Sequence, residues 1–341
     1  MKQETKDVGS DLKYYTHEDG IQLSFVIPCK DKNDPKLALL IEDIYKQKYP
    51  RSAFEILTIE EGTSESAKAI GIKKAKGGVI CVMASDNRIL GGISDKFLNE
   101  IWNIFISNQD IVCAYPLYYG YFKKSNFLNR YFALIGGNDP LSFYLCKNDK
   151  KTLLELVRSR NEIMLFDVCA FLPKDLPSLG DNMFFMRKAT YEKYSDFDNF
   201  YHVDSVYDVC SGMPKGVFKS LRYHMPMVMH DTTDGNVFNF LKKRYHYGLQ
   251  HAFNSNRHWH LVDFRKKEDV LRLIWFILAS VTFIHPLILS IRGYFKIRDI
   301  AWFAHPIMCF LTLVTYAILV CHLGLRRLYQ SLFARMAVQR A

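Results

Sequence analysis

Val79-Ile80-Cys81-Val82-Met83-Ala84-Ser85-Asp86-Asn87 is the stretch that decides the fold: five apolar residues in a row, closed by an acidic and amide-bearing end. Gly77-Gly78 precedes it. A short β-rich apolar run bounded by turn residues reads as a strand buried on both faces, the kind found in parallel sheets. Ligands of open α/β sheets gather beyond the carboxyl ends of the strands, so Asp86 stands where a charged ligand, or its metal, would be met.

Working backward, Phe54–Ile59 reads as a second strand and Leu23–Pro28 as a first. Between them Leu37, Leu39, Leu40, Ile44 and Tyr45 recur at helical spacing, and a further helix follows Thr63 or Ser64, either of which can cap it. Strand, helix, strand, helix, strand makes two βαβ units with right-handed crossovers, hence an α/β, Rossmann-like half-domain over residues 23–116. Residues 1–22 have no apolar periodicity and read as a loose tail. They lack the apolar core of a signal peptide, so this end is expected in the cytoplasm.

Working forward, a helix is expected over Lys96–Ser107 and a strand over Asp110–Pro116. The aromatic-rich segment Leu117–Tyr131 reads either as an amphipathic helix packed on the domain or as a lipid-contacting one. Gly136-Gly137-Asn138-Asp139-Pro140 is a turn by composition, and its Asn and Asp can equally line a site mouth.

The net charge of +10 is unevenly spread: from Asn236 onward there are 15 Lys/Arg against 4 Asp/Glu, while the first 235 residues carry 30 against 31. The basic third also holds the longest apolar runs, which suggests an anionic membrane surface rather than nucleic acid. Eight cysteines without Cys-x-x-Cys spacing read as buried free thiols in a reducing compartment.

Motif order makes the reading more specific. A strand ending Val-Ile-Pro28, a second ending Glu60-Glu61-Gly62-Thr63, Ala67 to Ile72 with Gly77, and a third ending Ser85-Asp86-Asn87 together resemble the family 2 glycosyltransferases of the GT-A fold. The resemblance implies a GT-A catalytic domain with a mixed sheet over residues 23–260 (acceptor half 117–260), a UDP- or GDP-sugar donor and a divalent metal, Mn2+ or Mg2+. It implies donor contacts by Pro28, Glu60, Glu61, Gly62, Asp86 and Asn87. The family's Asp-x-Asp falls on Ala84-Ser85-Asp86, so only its second acid is present.

Further along, Gly180-Asp181-Asn182 and the strand ending at Arg187 resemble the family's acceptor side, and Asp204 matches its catalytic base. His202 stands where the family has Glu, and His230 matches the strand-end His that completes the metal site with Asp86. Lys243 and Arg244 lie where some members carry Gln-x-x-Arg-Trp; the Gln is absent, which argues against a processive synthase. The implied function is inverting transfer to a lipid-linked acceptor.

Residues 261–341 contain two uncharged runs, Leu273–Ile291 and Ile300–Leu325. At about 1.5 Å per residue each is long enough for about 28 Å or more of helix, so a two-helix transmembrane hairpin is expected, with a re-entrant or surface-lying pair as the alternative. Cations flank the outer ends, which puts both termini and the catalytic domain on the cytoplasmic side. Two readings compete with the enzyme. A non-catalytic membrane scaffold would explain Ala84, and a nucleotidyltransferase would need a glycine-rich first loop that Cys29–Pro35 does not provide.

Overall fold

The computed structural model describes residues 20–62, 64–89, 97–148, 150–155, 166–170, 182–194, 219–223, 228–231, 235–252 and 261–338. In chain order the elements are β1 (Leu23–Pro28), α1 (Pro35–Tyr45), β2 (Phe54–Ile59), α2 (Ser64–Lys74), β3 (Val79–Met83), β4 (Asn87–Ile89), α3 (Phe97–Ser107) and β5 (Cys113–Pro116). They continue with α4 (Phe127–Ile135), α5 (Pro140–Tyr144), β6 (Phe166–Ala170), β7 (Asn182–Arg187), α6 (Lys188–Tyr194), β8 (Lys219–Tyr223) and β9 (Val228–His230). The C-terminal part is helical: α7 (Val237–Ala252), α8 (Lys267–Thr282), α9 (Ile284–Lys296), a 3-10 turn (Ile300–Phe303) and α10 (Ala304–Val338).

Seven strands form one mixed sheet in the order β2-β1-β3-β7-β5-β8-β6. The first three pair in parallel, as two βαβ units require, and β7 runs antiparallel to β3. All five residues of β3 are fully buried, which is why that strand reads as a continuous apolar run. Gly77 is needed at its entry, because a Cβ there would lie 2.7 Å from the Leu23 carbonyl carbon and the Ser24 nitrogen. Packing on one face of the sheet unites Phe25, Leu40, Ile44, Phe97, Ile101 and Phe185 in a single core.

A second, two-stranded sheet pairs β4 with β9. Asp43 of α1 holds β4 in place: its carboxylate accepts from Arg88 Nε at 2.6 Å, Arg88 Nη2 at 3.0 Å and the Ile89 backbone N–H at 3.1 Å.

Two expectations are corrected. Residues 117–126 are not helical; Tyr119 bridges to Val228 beside the small sheet, and the helix begins only after Asn126, whose side chain caps it by accepting from the Asn129 N–H. The first apolar run is not one helix but α8 and α9, which meet at 81° where Phe283 adopts a left-handed φ of 61°. Segment Ile300–Arg326 is long and apolar enough to cross a membrane. Among the described cysteines, Cys29, Cys81, Cys113 and Cys309 are buried free thiols, whereas Cys146 and Cys321 are exposed.

Candidate active site

The parallel strands bring Pro28, Glu60 and Asp86 to one edge of the sheet, because β1, β2 and β3 all end there. Cys29 N–H donates to the Ile59 carbonyl at 2.9 Å and extends the pairing to the rim. Glu60 is engaged by the first loop: it accepts from the Lys32 N–H at 2.7 Å and pairs with Lys32 Nζ at 2.9 Å. Those hydrogen bonds hold the exposed Glu60 carboxyl below its usual range. Glu61 points to Lys74 at 3.9 Å and is largely exposed. Gly62 has a φ of +80°, where an L side chain is strained, and a Cβ would lie 2.2 Å from Ser66 Oγ.

Beyond β3 the chain turns tightly, with the Asn87 N–H donating to Ala84 O at 3.0 Å and the Ala84 N–H donating to Asn87 Oδ1 at 3.2 Å. This turn presents Asp86 and starts β4, whose register sets Asn87 opposite His230. His230 Nε2 accordingly lies 3.1 Å from Asp86 Oδ1 and 3.2 Å from Oδ2. Burial pushes the Asp86 carboxyl up, but His230, Lys243 and Lys36 outweigh it and hold it below the ordinary carboxylate range.

The other His230 nitrogen, Nδ1, faces Asn138 Nδ2 at 2.8 Å. Asn138 therefore belongs to the site, and with it the glycine-rich turn whose role composition left open. Its Oδ1 is buried without a hydrogen bond. Turning the amide over would set that oxygen against a protonated Nδ1 and leave the Nε2 lone pair for a cation. Tyr119 packs its ring 6.1 Å from the His230 ring, and a cavity of about 10 Å³ between them and Asn129 and Asn138 has room for about one water.

Asn87 and Asn182 form a second layer. Asn87 Nδ2 donates to Asn182 Oδ1 at 2.8 Å, and Asn182 Nδ2 donates to the Tyr119 hydroxyl at 2.6 Å. Asn182 is reached through a register shift between β3 and β7, next to Met183 at a φ of 62°. An irregularity of this kind beside a site re-aims a side chain at the cost of local strain. Asn182, expected on the acceptor side, is instead a buried support for Asn87.

Two residues that the sequence reading did not single out complete the cluster. Asp231 continues β9, and its carboxylate meets Lys36 Nζ at 3.2 Å and Asn129 Nδ2 at 2.5 Å. Its backbone N–H donates to the Asp86 carbonyl at 2.8 Å. Lys36 also donates to the Asp231 carbonyl at 3.1 Å, from the first turn of α1. The legible signals were an acid directly after the strand-end His and a cation at a helix start after β1.

Arg187 is corrected outright. It pairs with Val79, at the end of β3 opposite Asp86. Its buried guanidinium donates to the carbonyls of Ile111, Phe105 and Asn108 at 2.6–2.9 Å, tying β7 to the end of α3. A residue spent on backbone carbonyls at the far end of the sheet cannot reach an acceptor. Arg244 is directed inward, 3.9 Å from Asp139 and over the rings of Phe240 and Tyr247. Lys243, its neighbour on α7, is the one whose charge reaches Asp86. Asp204, Gly180 and Asp181 lie outside the described residues.

The donor set is compatible with a hard divalent cation. Asp86 supplies a carboxylate whose Oδ1 lacks a hydrogen bond, and His230 supplies an imidazole nitrogen held by a supporting amide. Among the described residues no group of three or more His, Cys, Asp or Glu converges as a ready-made cage. A cation on Asp86 and His230 would take its remaining ligands from water or from a phosphate-bearing ligand, as Mg2+ commonly does.

No family model matches the chain, and no curated protein matches it. Solved structures similar to it include S. aureus TarS 1-349 in complex with UDP, with a TM-score of 0.38 and 10% identity over 80% of this chain and 75% of that one. The same protein in complex with UDP-GlcNAc aligns with a TM-score of 0.36 and 9% identity over 85% of this chain and 79% of that one.

Proposed function

We propose that the chain is an inverting, metal-assisted GT-A glycosyltransferase that moves a sugar from a UDP- or GDP-sugar to a lipid-linked acceptor at the cytoplasmic face of a membrane. The observation that carries this reading is the Asp86–His230 contact beyond the carboxyl end of β3, with Lys36 and Lys243 acting on the same carboxylate. A nucleotide-sugar leaves a diphosphate behind; the cluster holds two carboxylates, Asp86 and Asp231, against His230, Lys36 and Lys243, and a cation on Asp86 and His230 would add the positive charge that suits such a leaving group. Bound Mn2+ or Mg2+ would be held by Asp86 and His230 and would stabilise the charge developing on the leaving diphosphate.

The chain's own residues have separate tasks in this reading. Pro28, Gly62, Glu60 and Glu61 form the rim that takes the nucleoside, the two carboxylates accepting from base and ribose donors. Asn87, braced by Asn182, keeps the turn that presents Asp86. Asp204 takes the acceptor's proton as its oxygen attacks opposite the leaving group. With a phosphate acceptor, whose oxygen is already anionic, Asp204 orients it instead. Lys243, Gly180 and Asp181 serve the acceptor side.

The test is turnover. Purified protein in detergent, given UDP- and GDP-sugars, Mn2+ or Mg2+ and a lipid extract, forms a glycolipid visible by mass spectrometry; no product from any donor would sink the proposal. Asp204→Asn separates the acceptors, with near-total loss of rate for a hydroxyl and modest loss for a phosphate. A non-catalytic scaffold descended from such an enzyme is the second reading, favoured by Ala84 in place of the first acid. Nucleotide-diphosphate binding abolished by Asp86→Ala, together with turnover, excludes it.

A further inference from the structure

The three C-terminal helices carry a pattern that a transmembrane hairpin does not explain. On α10 the buried residues His305, Cys309, Thr312 and Leu319 fall on one stripe, and Ile307, Phe310, Val314 and Ile318 lie exposed on the opposite one. The buried stripe rests on the rest of the protein along its length. His305 Nδ1 lies 2.9 Å from the Tyr131 hydroxyl, Tyr316 donates to Asp139, Leu319 fills the space above Gly248, and His322 stacks on Tyr245.

From His305 to His322 the helix advances about 26 Å at about 1.5 Å per residue, most of the ~30 Å hydrocarbon core of a bilayer. A helix crossing there would drag α7 in with it, and with α7 the charged groups of Lys242, Lys243 and Arg244. Such groups are expensive inside a membrane. Neither α8 nor α9 offers a crossing: at 16 and 13 residues they reach about 24 and 20 Å, and they meet at 81°.

Both short helices repeat the pattern of α10. Phe276 and Ala279 of α8 are buried against Tyr144 and Cys309, while Leu271, Ile274, Trp275, Leu278 and Val281 are exposed. Gly293 of α9 lies so close to Trp302 that a Cβ would meet its ring at 2.3 Å, while Ile284, Leu287, Ile288 and Ile291 are exposed. Exposed cations stand at the helix ends: Lys267 at the start of α8 (beside Arg265, which is paired with Asp263), Lys296 and Arg298 at the end of α9, and Arg326 on α10. An apolar surface with a cationic rim matches one leaflet of an anionic bilayer, with the acyl chains under its centre and the headgroups at its edge.

We infer that the outer face of α8, α9 and α10 lies in the plane of a single anionic leaflet, so that the chain sits on the membrane and does not cross it. This rests on the membrane-attached reading above and replaces the two spans expected from the sequence by a monotopic raft.

Detergent-solubilised full-length protein diluted into preformed vesicles of phosphatidylcholine with about one-third phosphatidylglycerol tests it. In a Cys321→Ser background, the native Cys146 thiol and the thiol introduced by Arg326→Cys should react equally with an impermeant maleimide added outside intact vesicles. Reaction of the second only after lysis would mean that α10 crosses, and would overturn the inference. Leu278→Glu, Ile288→Glu and Val314→Glu should each weaken vesicle partitioning by about tenfold or more with an unchanged melting temperature. Unchanged partitioning overturns it, as does a lipid-free dimer dissociated by the same variants, since a second copy would then cover the face. Transfer to a short-chain soluble acceptor analogue is measured in parallel: its failure with normal vesicle attachment removes the catalytic reading and leaves the raft.

Discussion

His230 Nε2 lies 3.1 Å from Asp86 Oδ1, although the two residues are 144 positions apart. The contact follows from strand register: β4 starts one residue after Asp86, and its pairing with β9 sets Asn87 opposite His230. Two chain segments that are each unremarkable alone thereby become one polar site.

If that pair binds the donor diphosphate through a cation, Asp86→Asn and His230→Gln should each lower transfer by on the order of 10²–10³-fold. Folding should be little affected, since neither residue supports the core. Steady-state rates over a metal titration check this; unchanged rates for both variants would remove the pair from the mechanism.

In the same reading Asn138, whose amide meets His230 Nδ1, acts through that imidazole. Asn138→Ala should weaken apparent metal affinity by about 10–100-fold. The readout is the metal concentration at half-maximal rate, and excess Mn2+ should restore most of the activity. A loss that metal does not rescue would make Asn138 merely structural.

Asp43 is a stability residue. Its carboxylate is nearly fully buried and satisfies Arg88 twice and the Ile89 N–H once. Asp43→Ala leaves a partly buried guanidinium and a buried N–H unpaired, at a cost of about 3–5 kcal/mol. Thermal denaturation should show a clear fall in Tm, and β4 should be the first region to lose amide-exchange protection.

Asp263 supplies a pH signature. Arg265 hydrogen-bonds its carboxylate and holds it at about 2, against an ordinary value of 3.8. A carboxyl with a lowered pKa contributes stability above its unfolded value and loses it as pH falls through the folded one. Solvent screening of the exposed Arg265 keeps the stability difference between wild type and Asp263→Asn at about 1 kcal/mol or less at pH 6, and that difference should shrink between pH 4 and pH 2. Denaturant titrations across that window check it; a constant difference would assign the effect to packing.

Local pattern was sufficient for the first half of the sheet. Leu23–Pro28, Phe54–Ile59 and Val79–Met83 are strands with the bounds the sequence implies; β3, buried on both faces, is apolar throughout, while the edge strand β2 tolerates Glu55 and Thr58. The polar tips of those runs, Glu60 and Asp86, mark the carboxyl-end edge of the sheet. Pairing over long separations is not written in such runs. The positions of Asn138, Asp231 and Lys36 around His230 depend on β9 joining β4 and on α1 and α4 packing beside it, and Arg187 was misassigned because a basic strand end looks alike at either edge of a sheet. Likewise an uncharged run shows that a helix is apolar but not what it touches. Composition determined that residues 273–291 and 300–325 avoid water; only tertiary packing decided that His305, Tyr316 and Leu319 turn toward the protein while Ile307, Val314 and Ile318 face outward. The physical reason is that burial against a partner and burial in lipid select the same side chains.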